Sequence, residues 1–193
     1  MKINMKKTII SIVVIVALLA VGGFFAGKAL LGQKVNVSWY SDEETEFIIE
    51  NAEQLYELVE ISEKRDLKGK TFKLGADIVV NEGNASEWKD NGPNRKWYPI
   101  KDFAGTFDGQ GHTISGLYAK DTRSVGLFSK TAKECTIKNL VLKNSYFEAT
   151  YRAAGIAGEG AGTIESVYCD VIINAKDSSA DNGGRECGGF IGF

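Results

Sequence analysis

The chain holds one histidine, His112, and that count removes two catalytic classes at once. A zinc protease of the HExxH type needs two imidazoles one helical turn apart on a single metal. A Ser-His-Asp triad would have to recruit His112, and no GxSxG elbow accompanies it. His112 lies in the run GHTI, after a glycine turn and before a strand, so it is read as a strand-edge residue bonding a neighbouring backbone group. Asp102, Asp108, Asp121 and Asp170 are the carboxylates whose pairing could cleave a glycosidic bond, since that chemistry needs two acids flanking one bond. They are scattered among turns and strand ends, and Asp108 is explained by the Asp-Gly turn it begins. The stretch from Asp177 to Asn182 carries Asp177 and Asp181 but lacks the central Gly and terminal Glu of a 12-residue calcium loop, so it reads as a solvated loop. Cys135, Cys169 and Cys187 are odd in number, so at most one internal bridge can form. Cys169 is expected to be small apolar filler, with a Cys169–Cys187 bridge as the alternative. No catalytic, cofactor-binding or metal-ligating residue is assigned on these grounds, and no cofactor is expected.

The elements that would position such residues begin with an export signal. The span 8–27 carries no charge and is about 20 residues long, enough as a helix to cross a hydrocarbon core of about 30 Å. Lys2, Lys6 and Lys7 precede it and should remain cytoplasmic, which places the rest of the chain outside the cell. Residues 1–32 are therefore expected to be a signal-anchor or a cleaved signal peptide, and the segment is the expected contact with the membrane. Ala20 and Gly22 fit a cleavage site, whereas Phe24 and Phe25 prolong the apolar run beyond one. No Cys follows the span, so a lipid anchor through a lipobox cysteine is excluded.

Of the 23 Lys and Arg, five lie before Val35 and all 25 acids lie after Tyr40, so residues 35–193 carry a net charge of −7. An acidic body repels phosphate backbones, and no nucleic-acid partner is expected. Residues 33–46 read as a polar, acidic spacer. From Phe47 the pattern is globular: Asn51 and Gln54 resemble a capping box, and Ala52, Leu55, Leu58 and Val59 repeat at helical steps to about Glu63. From Thr71 the period becomes two, with Phe72, Leu74, Ala76 and Ile78 on one face. Residues 81–97 form a turn-rich loop pinned by Trp88 and Trp97. In FAGTFDGQGHTISGL, Asp108-Gly109 and Gln110-Gly111 are expected to supply positive φ between two short strands. The glycines there are too irregular, and too far from any helix, for a phosphate-binding fingerprint.

Twenty-two glycines serve a further pattern. The runs around Gly126, Gly155 and Gly189 resemble one another, and Thr136–Leu142 resembles Thr163–Cys169. The second alignment sets Cys169 against the core-facing Leu142. Units this short without helices cannot bury their apolar faces alone and must stack.

NAEQLYEL, GADI, WYPI, GTFDGQGHTISGL, VGLF and IKNLVL occur in an order that resembles bacterial surface proteins with GLUG-type repeats. These include the region preceding the protease domain of IgA-cleaving metallopeptidases. The resemblance covers residues 47–193. It implies a mainly β fold, a right-handed parallel β-helix with an N-terminal capping helix, displayed at the cell surface. Ser129 replaces the glycine usual after VGLF, and Ala157 replaces a bulkier apolar residue. The peptidase motif of that family is absent from this chain.

The function expected from these readings is a noncatalytic extracellular repeat module, a stalk or adhesin with a host glycan or protein as ligand. The alternative is a glycan-binding or glycan-cleaving domain on the same scaffold. The β-helix is expected to be incomplete at its C-terminal end, because no polar cap follows Gly188–Phe193, and self-association through that open edge is expected.

Overall fold

The computed structural model describes residues 37–175 and 186–192, with backbone alone at 121, 122 and 186. The charge-free span 8–27 and the acidic loop 177–182 lie outside the described residues. No helix among the described residues is long and apolar enough to cross a membrane.

The chain is mainly β. Its one α-helix among the described residues, α1 (Ala52–Ser62), follows β1 (Glu46–Ile49). The expected cap forms: Asn51 Oδ1 accepts the Gln54 N–H at 3.0 Å, and Gln54 Oε1 accepts the Glu50 N–H at 2.7 Å. One orphan amide of the first turn is thereby satisfied, and the Gln54 side chain ties back the residue before the cap. The buried face of α1 is Leu55, Leu58, Val59 and Ile61, the three- and four-residue rhythm of the sequence.

The strands that follow are β2 (Thr71–Leu74), β3 (Ile78–Val79), β4 (Thr106–Asp108), β5 (Thr113–Ser115), β6 (Tyr118–Val125) and β7 (Phe128–Thr131). Then come the long β8 (Thr136–Ala154), β9 (Ala157–Gly160), β10 (Thr163–Ala175) and β11 (Glu186–Gly188). Every pairing among them is parallel. Parallel neighbours need long crossovers: α1 supplies the one between β1 and β2, and the later ones are made of short strands, loops and corners. Residues far apart in sequence therefore stand in columns. Phe47, Phe72, Phe107, Ile137 and Ile164 form one column. Ile78, Ile114, Leu142 and Cys169 form another. Ile100, Phe128, Ala157 and Ile191 form a third. The self-similar runs of the sequence coincide with the pairings Thr136↔Thr163, Phe128↔Ala157 and Ala157↔Ile191.

Inward columns build one continuous core. Phe47 stacks on Phe72 at 5.1 Å between centroids, like ring on like ring along the first column, and Phe103 leans on Phe128 at 4.8 Å between neighbouring columns. Trp97 is 1% exposed, and its Nε1 donates to the Gly126 carbonyl at 3.0 Å, removing the one polar atom that would oppose its burial.

Two expectations need correction. Gly109 does not take a positive φ; that conformation falls on Gln110 (φ 53°) and Gly111 (φ 81°). Gly109 is required for a different reason, since a Cβ there would strike the Asn139 carbonyl and the Leu140 Cα of the next column member. Within the expected spacer 33–46, the described residues 37–46 are not free of the body: Trp39 and Tyr40 pack edge-on and face-on against Phe47, and Trp39 Nε1 donates to Glu57 at 2.5 Å. Two aromatic rings in a polar stretch were the signal for this contact. The period-two face of the sequence runs on past the end of β2: Phe72, Leu74 and Ile78 are buried, and Ala76 is half-buried between the exposed Gly75 and Asp77.

At the far end of the columns β10 pairs with β8 along one edge, and its other edge takes no strand among the described residues. Ile164, Val167, Phe190 and Ile191 line an apolar recess of about 340 Å³ there, with Phe190 exposed.

Candidate functional site

The carboxylates named from the sequence whose side chains are described fall on different elements. Asp102 sits at a corner with φ 42°, Asp108 at the end of β4 and Asp170 in β10 opposite Lys143. Asp121 belongs to β6, and only its backbone is described. Asp108 is buried and engaged: its Oδ1 accepts from the Gln110 N–H and from Asn139 Nδ2, both at 3.0 Å, with Lys138 Nζ 3.6 Å from Oδ2. Burial alone would raise its pKa. The Gln110 amide, the Asn139 side chain and Lys138 outweigh that and hold the carboxyl below its ordinary value. This is a turn-forming carboxylate, stabilised in the charged state and poorly suited to donate a proton.

His112 departs from the expected backbone contact. Its Nδ1 stands 3.2 Å from Asp77 Oδ1, and Asp77 also accepts the Thr113 N–H at 2.8 Å. The Thr113 amide first, then His112, lower the Asp77 pKa. A nucleophile on the far side of the imidazole would be needed for catalysis, and no side chain is placed there by the hydrogen bonds described.

The thiols of Cys135, Cys169 and Cys187 are free. Cys169 pairs with Leu142 and packs against the core as the repeat alignment predicted, and burial pushes its thiol up to about 11. Cys135 is buried, and its thiol is pushed up to about 12. Among the described residues no cluster of three or more His, Cys, Asp or Glu is placed to hold a metal ion.

A polar cluster that sequence reasoning missed lies on the outer side of β6, β8 and β10. Glu148 is 1% exposed. Its Oε2 accepts from Tyr146 Oη at 2.8 Å and from Asn174 Nδ2 at 2.7 Å, and Lys120 Nζ stands 3.7 Å from Oε1. Burial comes first in raising the Tyr146 hydroxyl to about 12. Lys120 Nζ also donates to the Lys89 carbonyl at 2.7 Å, tying loop 81–97 to the cluster. Trp88 lies edge-on to Tyr118 in the same layer. The signal was the alternation that sets Tyr146 and Glu148 on one side of β8. The repeat alignment that matches Thr163 to Thr136 pointed Asn174 at Phe147, but a bulge between Asp170 and Ile172 shifts the register so that Asn174 meets Glu148.

One concave surface remains. Gln110, Asn139 and Ser166 occupy the same corner in successive members of the stack, with φ of 53°, 52° and 53°. Each turns the chain by entering the left-handed region, where a short polar side chain is tolerated. Their alignment leaves a groove of about 490 Å³, lined also by Gly111, Leu140, Val141 and Tyr168. Tyr168 is 59% exposed and stands in a column with Val141 and Thr113. Among the described residues no Lys, Arg, Asp, Glu or His lines the groove.

Neither a family model nor a solved structure matches this chain. Over 141 residues, 72% of its length, it is 28% identical to Halomucin of Haloquadratum walsbyi (strain DSM 16790 / HBSQ001). The match takes in 2% of Halomucin, so the chain corresponds to a small fraction of that protein.

Proposed function

We propose that this chain is a noncatalytic cell-surface module, a right-handed parallel β-helix of the GLUG-repeat kind held at the membrane by its N-terminal segment. The observation that carries the reading is the set of parallel columns. Strand segments at Phe47, Phe72, Phe107, Ile137 and Ile164 recur in one register although the chain between them varies in length. Stacked units of this kind build elongated bodies with long lateral surfaces, which suits a stalk or a binding module. α1, with Trp39 and Tyr40, would serve as the N-terminal cap. The separate engagement of Asp77 and Asp108 supports a module without turnover. The likeness to Halomucin, a protein named as a mucin, supports a place at the surface.

Protease added to intact cells producing the full chain is the test. Loss of residues 35–193 while a cytosolic marker survives is the expected result. Full protection of the body would overturn the surface assignment.

A further inference from the structure

We infer that the corner groove at Gln110, Asn139, Ser166 and Tyr168 is a binding site for a neutral saccharide chain. The inference deepens the surface-module reading, on which it rests for access to a polymeric ligand.

The chemistry of the lining selects the ligand class. Tyr168 offers an exposed aromatic face with a hydroxyl at its edge, and such a ring is an apolar platform with a polar handle. A pyranose is the complementary object, since its flat faces carry C–H bonds while its rim carries hydroxyls. Gln110 and Asn139 each bring a planar carboxamide, which donates and accepts side by side and so matches vicinal hydroxyls. Asn139 commits one N–H to Asp108 Oδ1, which fixes the plane of its amide before any ligand arrives. Ser166 adds a hydroxyl that can serve in either sense.

Charge excludes the competing ligands. Without a Lys or Arg among the described residues of the lining, a phosphate, sulfate or uronate would find no counter-charge there, and residues 35–193 are acidic as a whole. A purely apolar ligand would strand the two amides and the hydroxyl. The groove is open and runs across three successive members of the stack, so it favours an extended chain over a small enclosed molecule.

The full chain, purified in detergent, would be run in native gels containing laminarin, mannan, galactan or dextran, with heparin and hyaluronan as acidic controls. Retardation by at least one neutral polymer is expected. Tyr168→Ala should weaken it about tenfold or more, Gln110→Ala several-fold, and Tyr168→Phe little. Tyr98→Ala, which removes another exposed tyrosine, outside the groove, should leave it unchanged. Should Tyr168→Ala fail to fold, Gln110→Ala and Ser166→Ala carry the same comparison. No retardation by any neutral polymer, retardation by the acidic polymers alone, or binding indifferent to Tyr168 and Gln110 would each overturn the inference. Because these gels use purified protein, their failure is distinct from failure of the protease test on cells.

Discussion

Asn144 lets local strain and loop anchoring be weighed at one position. Its φ is 45°, in the left-handed region, and its side chain reaches across to loop 81–97. Oδ1 accepts the Ala85 N–H at 2.9 Å, and Nδ2 donates to the Gly83 carbonyl at 2.9 Å. Those bonds hold the loop so that Trp88, 5% exposed, stays over Tyr118. Replacing Asn144 by Ala removes two neutral hydrogen bonds of about 1 kcal/mol each. It also puts a Cβ without local hydrogen bonding into the left-handed region, at about 1 kcal/mol more. The expected loss is about 3 kcal/mol, or roughly 6–12 °C in Tm for a body of this size. Asn144→Gly loses the same bonds but not the strain, so it should cost about 2 kcal/mol. Thermal unfolding followed by circular dichroism measures both, and limited proteolysis should show cleavage within 81–97 rising equally in the two variants. A Tm within about 1 °C of wild type for Asn144→Ala, or Gly proving worse than Ala, would refute the reasoning.

Further outcomes are expected elsewhere. Asp108 has its pKa lowered in the folded state, so its contribution to stability is fully present above the ordinary value of 3.8 and is lost as pH falls through the depressed one. Denaturant titrations at descending pH should therefore show wild type losing stability faster than Asp108→Asn below that ordinary value. Gly109→Ala drives a Cβ into the backbone of Asn139 and Leu140, and a loss of about 2 kcal/mol or more is expected in the same unfolding assay. Of the three thiols, the exposed Cys187 should react with iodoacetamide at pH 8 well before Cys135 and Cys169, whose pKa values burial raises to about 12 and about 11; equal rates by mass spectrometry would contradict that burial.

The helix start and the period-two face at Phe72 and Leu74 were legible because each depends on short-range spacing, and the alignment of Cys169 with Leu142 because it follows from the repeat match. The pairing of Thr136 with Thr163 was legible because self-similar runs tend to adopt one register. What escaped depended on interruptions of that regularity. The bulge after Asp170 moved Asn174 onto Glu148, and no local residue pattern marks it. Gly109 was read as a turn former from its Asp-Gly context, whereas its constraint comes from Asn139 and Leu140 in the next member of the stack. The groove at Tyr168 was invisible because a single Tyr in an alternating strand announces nothing until the corner beside it is seen to be concave.

The steps from Phe47 to Phe72, on to Phe107, to Ile137 and to Ile164 differ in chain length yet land in one column, which describes a body with constant rungs and elastic connections. The longest of them, from Phe72 to Phe107, contains loop 81–97. That loop is fastened at its ends by Asn81 Nδ2, which donates to the carbonyls of Arg95 and Gly116, and by Tyr56 Oη, which donates to that of Lys96. Excess chain is thus taken up at a corner and tied off before the next rung begins. Lengthening such a tied loop costs little, about 0.6 kcal/mol for each doubling. The outer decoration of this protein is therefore free to diverge, or to accept a graft, at the exposed Asp90–Asn91 tip, outside the anchored Ala85, Trp88 and Lys89, while the rungs that define its body stay as they are.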